Sequence, residues 1–424
     1  MVIKYQRPPG TSDVTPDEAG QWHEIEASFV ELCRRHCFSE VRTPIFEDTE
    51  LFIRSVGSGT DIVSKEMYTF EDRGGRSLTL RAEGTAPAVR AYLENHLMQQ
   101  DPERVVKLYY IAPIFRYDRP QAGRYRQHTQ FGLEAIGSAS PAVDVEIIQT
   151  TSEFYEAVGI DNALLKLNSV GCPTCAPEYV KAIRAFAADK LEQMCEDCVR
   201  RYDENPLRMI DCKNEQCRAV VQQGPTMVDA LCEECAEHFA QVRGYLELLG
   251  LAYELDPYIV RGLDYYTRTA FEFVAEDIGA QSSIGGGGRY DGLVEQMGGR
   301  PTPGVGIGIG VERVLLVRQQ LGVAAAEPAR SGCFIVTLGD AAWAAGLKLA
   351  AQLRGQGLRV DVDYRRRSMK AQLRYADSEK FARALIIGDD ELATGVVAVR
   401  DMDSGQQEEA AMGELSQVLQ SLTC

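Results

Sequence analysis

Residues 107–137 read KLYYIAPIFRYDRPQAGRYRQHTQFGLEAIG, and the rest of the fold is predicted outward from this stretch. An apolar run, 108–115, leads into turn-forming residues at 118–123 and then into a second strand-like run. Two such runs around a turn rich in Pro and Gly are typical of a β-hairpin, here with a cationic tip. We therefore predict two antiparallel strands joined by an exposed loop.

The return strand of this hairpin has two chemically different faces, because side chains along a strand alternate between faces. Phe131, Leu133 and Ala135 share the apolar face. The other face carries polar side chains around a glycine: Arg124, Arg126, His128, Gln130, Gly132 and Glu134. The apolar face predicts a core contact, whereas the polar face is either a solvated surface or the floor of a polar ligand site.

Two further segments bear on this choice. Residues 77–83, SLTLRAE, again place polar side chains on one strand face and apolar ones on the other, and Gly84-Thr85 leads into a helix. In 303–313, PGVGIGIGVER, alternating glycines leave one strand face bare, which suits either a closely bound ligand or tight sheet packing. Two polar strand faces favour a ligand site, and neither glycine pattern is that of a P-loop or a dinucleotide fingerprint.

Composition sets the broad class of the protein. With 424 residues the chain has room for about three domains. No apolar segment reaches the ~18 residues of a membrane span, and no secretion signal precedes the first helix, so we predict a cytoplasmic protein without a membrane partner. The net charge of -17 argues against indiscriminate nucleic-acid binding but allows a local basic patch for a particular RNA.

The pattern along the chain predicts a main domain over 1–328, a helical insertion at 172–240 and a C-terminal α/β domain over 331–424. Strand–helix alternation after the linker at 322–330 predicts a small, mainly parallel sheet, with a last helix near 412–422. The basic run 365–367 in this domain is either solvated surface or an RNA contact.

The insertion is rich in cysteine: eight of the twelve cysteines lie between Cys172 and Cys235. They form four closely spaced pairs, three of them with C-x2-C spacing: Cys172 and Cys175, Cys195 and Cys198, Cys212 and Cys217, Cys232 and Cys235. In a chain without a secretion signal such pairs indicate metal binding before disulfides. The thiolates suffice for two four-cysteine Zn²⁺ sites, or for one site and spare pairs, and whether zinc is bound stays open.

Taken together, these segments resemble the histidyl-tRNA synthetases, which are class II aminoacyl-tRNA synthetases, over nearly the whole chain. The opening hairpin resembles motif 2, residues 38–52 resemble motif 1, and 303–313 resemble motif 3. The runs VRGLDYYTRTAFEF (260–273) and SSIGGGGRYDGL (282–293) resemble the two histidine-specific signatures, and this combination is highly specific.

The resemblance implies a bacterial-type histidine–tRNA ligase that acts as a homodimer through motif 1. The implied fold is an α+β catalytic domain over 1–328, an antiparallel sheet flanked by helices, followed by an anticodon-binding α/β domain over 331–424. It would use ATP with Mg²⁺ to activate L-histidine and would transfer histidine to the 3′ end of tRNA-His. The implied catalytic residues are Arg116 and Arg261. The implied histidine site consists of Glu83, Gly84, Thr85, Arg116, Gln130, Glu134, Arg261, Tyr265 and Tyr266. The implied ATP contacts are Arg116, Arg124 and Arg313, and the implied tRNA contacts are Arg119, Gln121 and Arg366.

Two other functions were weighed. A regulatory paralogue of this family senses histidine for an ATP phosphoribosyltransferase, but it typically lacks the C-terminal domain and degrades the signatures that are present here. A generic RNA-binding module would not explain a buried polar pocket. Histidine-dependent pyrophosphate exchange separates the enzyme from the paralogue.

Overall fold

The computed structural model describes residues 5–57, 59–97, 104–204, 206–210, 212, 214–259, 262–275, 283–323, 329–415 and 419. The chain divides into two compact units, Met1–Ala325 and Ala326–Cys424. No described helix combines the length and the apolar character that crossing a membrane would require.

An eight-stranded sheet forms the centre of the first unit. Its strand order is β1-β5-β6-β11-β10-β9-β7-β8, and the pairs within it are antiparallel except at the two edges, where β1 lies parallel to β5 and β8 to β7. These strands are β1 Ser39–Glu40, β5 Val106–Phe115, β6 Gln127–Ile136, β7 Leu164–Ser169, β8 Glu254–Leu255, β9 Thr267–Val274, β10 Ser283–Arg289 and β11 Gly304–Gly310. The predicted hairpin is confirmed as β5 and β6, paired over their full lengths.

A small second sheet has the order β2-β4-β3, with β2 Phe46–Asp48, β3 Thr69–Glu71 and β4 Ser77–Leu80. The segment around Pro44 therefore divides between two sheets, since β1 belongs to the large sheet and β2 to the small one. Proline has no N–H for a ladder, which accounts for the break. Two side chains predicted on the polar face of 77–83, Thr79 and Arg81, are buried but satisfied inside the protein: Thr79 bonds to Thr49 and Thr69, and Arg81 donates to the carbonyls of Thr43 and Pro113.

Helices cover the sheet of the first unit and build the insertion. They are α1 Pro16–Arg35, α2 Thr49–Val56, α3 Thr85–Glu94, α4 Pro141–Ala157, α5 Ala176–Ala187, α6 Glu196–Glu204, α7 Glu215–Val221, α8 Glu233–Leu248, α9 Leu293–Gln296 and α10 Val311–Gln320. The apolar face of β6 meets α1 as predicted, and the rings of Phe131 and Phe29 stack with centroids 4.4 Å apart.

A buried ionic network ties α4 and α8 to the sheet. The Asp144 carboxylate of α4 accepts from Thr269 Oγ1 (2.6 Å), contacts His238 Nε2 of α8 (2.8 Å) and pairs with the fully buried Arg289 of β10. Burial opposes ionisation of Asp144, but hydrogen bonds from His238 and the charge of Arg289 leave its pKa below the ordinary value. Arg289 of the second signature is therefore a residue of the fold.

The second unit has a five-stranded sheet in the order β13-β12-β14-β15-β16, with β12 Ser331–Thr337, β13 Val360–Val362, β14 Phe381–Ile387, β15 Val396–Asp401 and β16 Gln407–Ala411. Its helices are α11 Asp340–Gly355, α12 Met369–Ser378 and α13 Asp389–Thr394. The parallel prediction holds for β12, β13 and β14, whereas β15 and β16 are antiparallel. Most of the helix predicted near 412–422 lies outside the described residues.

Candidate active site

A cavity of about 350 Å³ opens on the polar face of the large sheet, where β6, β10 and β11 meet the loop between β5 and β6. The predicted site residues that line it are Glu83, Thr85, Arg116, Arg124, Gln130, Tyr265, Tyr266 and Arg313. These side chains come from segments far apart in the sequence, so the fold brings most of the predicted site together. Arg261 lies outside the described residues, and its predicted role stays a prediction.

Glu134 of β6 lies fully buried in a cage of hydroxyl groups. Its carboxylate accepts from Thr85 Oγ1 (2.7 Å) and Tyr290 OH (2.5 Å), with Tyr110 OH at 3.5 Å. Burial is the main reason that its pKa rises to about 8; the nearby Glu83 carboxylate adds to the rise, and the hydroxyl donors oppose it. Glu134 therefore holds a proton readily and can exchange it near neutral pH.

Glu83 stands at the first turn of α3 and binds that helix directly. Its two carboxylate oxygens accept from the backbone N–H groups of Thr85 and Ala86, each at 2.7 Å. Burial raises its pKa, and these N–H donors oppose the rise. Glu83 is thus a rigid carboxylate at the cavity wall, since both oxygens are held by the helix N-terminus.

Glycines make room for the polar side chains of this floor. A Cβ on Gly306 would overlap Glu134 Oε2, and a Cβ on Gly308 would overlap Gln130 Nε2. A Cβ on Gly84 or Gly132 would overlap the ring of Tyr110 instead. The alternating glycines of β11 therefore leave space for Gln130 and Glu134 of the neighbouring strand, and Gly308 and Gly310 also line the cavity. Gly84 itself lies under Tyr110 and does not line the cavity.

The wall opposite the carboxylates is cationic. Arg116 Nε donates to the carbonyl of Ala82 (2.7 Å), and Arg313 donates to the carbonyls of Gly123 (2.9 Å) and Ser283 (2.5 Å). Arg124 forms a bidentate pair with Asp118 at 2.7 and 2.6 Å. Because a backbone carbonyl orients Arg116 without neutralising it, its guanidinium keeps charge for an anionic ligand.

Burial and the arginines of this wall lower the pKa of His128. Burial is the main reason that its pKa falls to about 3, and the charges of Arg116 and Arg313 lower the pKa further. An imidazole that stays neutral beside two arginines is expected where the site is built to receive negative charge.

Three buried polar atoms at the cavity have no hydrogen-bond partner among the described residues: Gln130 Oε1, Tyr265 OH and Glu312 Oε2. Leaving a buried donor or acceptor unpaired costs about 1–3 kcal/mol, so such atoms at a cavity are expected to bind a ligand. Two unpaired acceptors and one hydroxyl, in a cavity that three arginines also line, suit a small zwitterion next to phosphate groups.

Sequence reasoning missed several residues of the site. Tyr110 and Tyr290 hold Glu134, His128 lines the cavity without having been assigned a role, and Glu312 lies at its edge with its pKa raised to about 7 by burial. The sequence held one usable signal for Tyr110, because it pairs directly with Gly132 across the hairpin. A glycine opposite an aromatic ring in a strand pair indicates that the ring lies over the glycine.

The predicted tRNA contacts lie on exposed segments of both units. Gln121 forms an isolated bridge with Arg124 in the loop between β5 and β6, the loop that also carries Arg119. In the second unit Arg366 pairs with Asp340, and its guanidinium lies 5.9 Å from the ring centre of Trp343.

The eight cysteines of the insertion form two groups of four. The root cluster contains Cys172, Cys175, Cys232 and Cys235, where the chain enters and leaves the insertion; the tip cluster contains Cys195, Cys198, Cys212 and Cys217. Within each cluster all sulfur atoms lie within 4.8 Å of one another. The closest pairs, Cys172 with Cys175 and with Cys232, and Cys195 with Cys212, are 3.6–3.8 Å apart.

These distances suit a tetrahedral metal. Four thiolates around Zn²⁺ at ~2.3 Å lie about 3.8 Å from one another, whereas a disulfide would need about 2.05 Å. Backbone N–H groups also point at the sulfur atoms: Cys232 N donates to Cys175 Sγ and Cys195 N to Cys217 Sγ, both at 3.1 Å. Such outer donors stabilise metal-bound thiolates.

Comparison with known proteins agrees with this geometry. Residues 10–314 match the family model described as histidyl-tRNA synthetase, and residues 332–422 match that of an anticodon binding domain. The chain is 50% identical to the histidine–tRNA ligase of Pelotomaculum thermopropionicum, over 97% of each chain, and 50% identical to that of Moorella thermoacetica, over 96% of each.

Among solved structures, apo histidyl-tRNA synthetase of S. aureus is similar, with a TM-score of 0.83, 37% identity and coverage of 98% of this chain and 99% of that one. Near-complete coverage at this identity decides for the enzyme over the regulatory paralogue. The chain therefore belongs to the histidyl-tRNA synthetase family and is a ligase that attaches histidine to tRNA-His.

Proposed function

We propose that the cavity on the large sheet binds L-histidine and ATP side by side and forms histidyl-adenylate. The observation that carries this proposal is the unpaired buried Gln130 Oε1, which faces the same cavity as three arginines. The ammonium of histidine would donate to Gln130, beside Glu83 and Thr85. Glu134, Tyr265 and Tyr266 would surround the imidazole. A site whose buried polar groups need the substrate's own donors rejects analogues without them, by about 10⁴–10⁵.

Adenylate formation then needs orientation and fixed positive charge. A carboxylate oxygen of histidine attacks the α-phosphorus, and the bond from that phosphorus to the bridging oxygen of pyrophosphate breaks. The planar guanidinium of Arg116 suits a bidentate contact with the carboxylate and the α-phosphate, while Arg124 and Arg313 hold the nucleotide. In the second step a ribose hydroxyl at the 3′ end of the tRNA attacks the activated carbonyl, and AMP leaves.

Bound together with ATP, Mg²⁺ would supply positive charge against the negative charge that develops on pyrophosphate. The carboxylates around the cavity allow one protein ligand. Both oxygens of Asp118 and of Glu83 accept from protein donors, but Glu312 Oε2 is buried and has no partner among the described residues. We propose Glu312 as the side chain that helps to hold the metal.

Pyrophosphate exchange tests the assignment of the site. We expect ATP–pyrophosphate exchange that depends on L-histidine, and Arg261→Ala is expected to lower its kcat by about 10²–10³ with folding unchanged. Arg54→Ala serves as a control, because that arginine lies on α2 with its side chain 72% exposed. Exchange at the wild-type rate in Arg261→Ala would contradict the role of this residue; exchange that needs no histidine would contradict the proposed substrate.

We propose a homodimer that forms through the motif 1 region. Large apolar side chains of the small sheet and its entry strand are exposed in the single chain: Ile45 (48%), Phe46 (51%) and Phe70 (44%). Clustered exposed apolar groups indicate a protein interface. Light scattering of the purified protein is expected to give twice the chain mass, and Phe46→Asp is expected to give monomers.

For tRNA-His we propose that Arg119 and Gln121 contact the acceptor end and that Arg366 contacts the anticodon region. Arg119→Ala is expected to raise the KM for tRNA in aminoacylation and to leave pyrophosphate exchange unchanged, because exchange does not use tRNA. We further propose that the enzyme acts in the cytoplasm, where its tRNA substrate is charged.

We propose that the root cluster and the tip cluster each bind one structural Zn²⁺. Eight cysteines in two compact groups, with sulfur spacings that match a zinc tetrahedron, support this assignment. Elemental analysis of protein purified without chelators is expected to give about two zinc ions per chain. A value below one would contradict it.

A further inference from the structure

The two cysteine clusters differ in what they touch, and we infer that the root cluster's zinc shapes the histidine pocket whereas the tip cluster's zinc folds only the insertion. The inference rests on the proposed zinc sites and assigns them different tasks. It concerns positioning residues, since no cysteine of either cluster lines the cavity.

The root cluster is joined to the pocket by a short run of backbone. Cys172 follows β7 after Val170 and Gly171, and these two residues pair with the start of β9. Val170 N donates to the carbonyl of Arg268 (2.8 Å), and Arg268 N donates to the carbonyl of Gly171 (2.6 Å). Thr267 Oγ1 donates to the same carbonyl at 3.1 Å. The carbonyl of Gly171, directly before Cys172, therefore binds both Thr267 and Arg268, the two residues that follow Tyr266.

Arg268 has an unusual conformation that needs such support. Its φ is +54°, in the left-handed region that favours glycine, and the register between β9 and β10 shifts at this point. A strained residue in a bulge persists only where its surroundings hold it, and bulges often lie beside functional sites because they redirect a strand.

The second half of the root cluster, Cys232 and Cys235 at the start of α8, also lies next to a residue that contacts Arg268. Glu234, two residues after Cys232 in the first turn of α8, accepts from Arg268 Nη2 at 3.5 Å. This exposed contact is weak, so the backbone bonds to Gly171 carry most of the coupling. A metal bound by both Cys172 and Cys232 would fix both segments that contact Arg268, the residues before Cys172 and the first turn of α8.

From Arg268 the path to the histidine pocket is two residues long. A Cβ on Gly288 would lie 2.9 Å from Tyr266 Cδ1, so that ring rests closely on the backbone of β10. The Tyr265 ring meets Tyr290 edge to face at 5.8 Å, and Tyr290 OH bonds to Glu134. A shift of the bulge at Arg268 would therefore move the two tyrosines assigned to the imidazole.

The tip cluster is connected to the pocket less directly. Its thiols pack with other side chains of the insertion, namely Ala187, Leu191, Met194, Tyr202 and Met209. Its helix α7, which carries Cys217, reaches the first signature through a side-chain bond from Tyr258 OH to the carbonyl of Gln222 at 3.0 Å. The root cluster's apolar group includes Tyr258 itself, and the residues before Cys172 also bond to β9 through their backbone. The tip cluster, which also consists of four cysteines, is thus a matched control within the same chain.

Two variants of the full-length enzyme test the inference: Cys172→Ser in the root and Cys198→Ser in the tip. Each is expected to keep one zinc ion of the two by elemental analysis. Cys172→Ser is expected to raise the KM for histidine in pyrophosphate exchange by about 10–100-fold and to leave the KM for ATP unchanged, because a small displacement of positioning groups has effects of this size. Cys198→Ser is expected to leave both KM values unchanged.

If Cys172→Ser does not fold, Cys198→Ser decides, since it carries only the root zinc. Removing that zinc with a chelator should raise the KM for histidine, and added Zn²⁺ should restore it. Equal KM values with and without root zinc, or equal effects of the two substitutions, would overturn the inference while leaving the zinc sites in place. Wild-type protein without zinc would instead refute the sites themselves.

Discussion

Gly308→Ala tests the contribution of the Gln130 amide to histidine binding without replacing a side chain that is assigned to the substrate. The three atoms nearest to a new Cβ all belong to the Gln130 side chain: Nε2, which it would overlap, then Cδ at 2.9 Å and Cγ at 3.5 Å. At Gly306 the same change would also meet the Leu133 carbonyl at 2.6 Å, so that position would strain the backbone. Only at Gly308 can a single side chain relieve the clash.

The size of the effect follows from what Gln130 loses. Its amide must rotate away, which removes one hydrogen bond to the histidine ammonium, and hydrogen bonds to charged groups are worth about 1.5–3 kcal/mol. The Kd for histidine is therefore expected to rise roughly 10- to 150-fold. The free energy of unfolding should change by less than about 1 kcal/mol, because alanine is favoured over glycine in a strand and this offsets a forced rotamer.

Calorimetric titration with histidine, together with the KM values in pyrophosphate exchange, measures this effect. Gly292→Ala is the control, since a Cβ there meets only Gln296 Nε2 at 3.7 Å. We expect a weaker histidine affinity, an unchanged KM for ATP and an unchanged melting temperature. A wild-type affinity for histidine in folded Gly308→Ala would refute the role assigned to Gln130.

Three further outcomes are expected. Because the pKa of Glu134 is about 8 in the folded protein against an ordinary 4.5, the folded state holds an extra proton between these values. The free energy of unfolding should thus fall as pH rises through this window, by at most about 1.4 kcal/mol per pH unit, and melting curves of Glu134→Gln should show a smaller fall. Asp144→Ala should cost about 3–5 kcal/mol in urea unfolding, because it leaves Arg289 buried without its main partner, while Asp291→Ala should cost less because water reaches that carboxylate. Arg116→Lys should lower kcat of pyrophosphate exchange by about 10²–10³ in a folded protein, since an ammonium cannot replace the planar fork; equal rates would contradict the bidentate contact.

Alternation of polar and apolar residues was enough to predict the hairpin and the direction of its two faces. The apolar face of the hairpin packs against α1, and its polar face lines the cavity. Helices on one side of a central antiparallel sheet leave the other side for a ligand. The same pattern in β4 misled, since Thr79 and Arg81 are satisfied inside the protein and only Glu83, three residues beyond the strand, reaches the cavity. Alternation predicts on which face of a strand a side chain lies. Whether that face contacts the core, other polar groups or a ligand depends on tertiary packing.

The cysteine spacing likewise left one question open, namely which pairs join. Four pairs can combine into two sites in three ways, and the structure joins the first with the last and the two middle ones. The outer pairs meet because β7 and α8, from which they extend, are both anchored on the sheet, α8 through the contact of His238 with Asp144. Local spacing carries no information about that anchor, since its members are 94 residues apart.

The left-handed Arg268 was invisible in the sequence for a related reason. A glycine at that position would have signalled a bulge, but arginine adopts this conformation only because Gly171 and Val170 hold its backbone on one side. Arginine also adds a side chain that reaches Glu234, which glycine would lack. The chain thus places a strained residue between its metal-binding root and its two pocket tyrosines, and such a residue is expected to relax when one of its supports is lost. That asymmetry is why loss of the root zinc is expected to change histidine binding, whereas loss of the tip zinc is expected to end at the insertion.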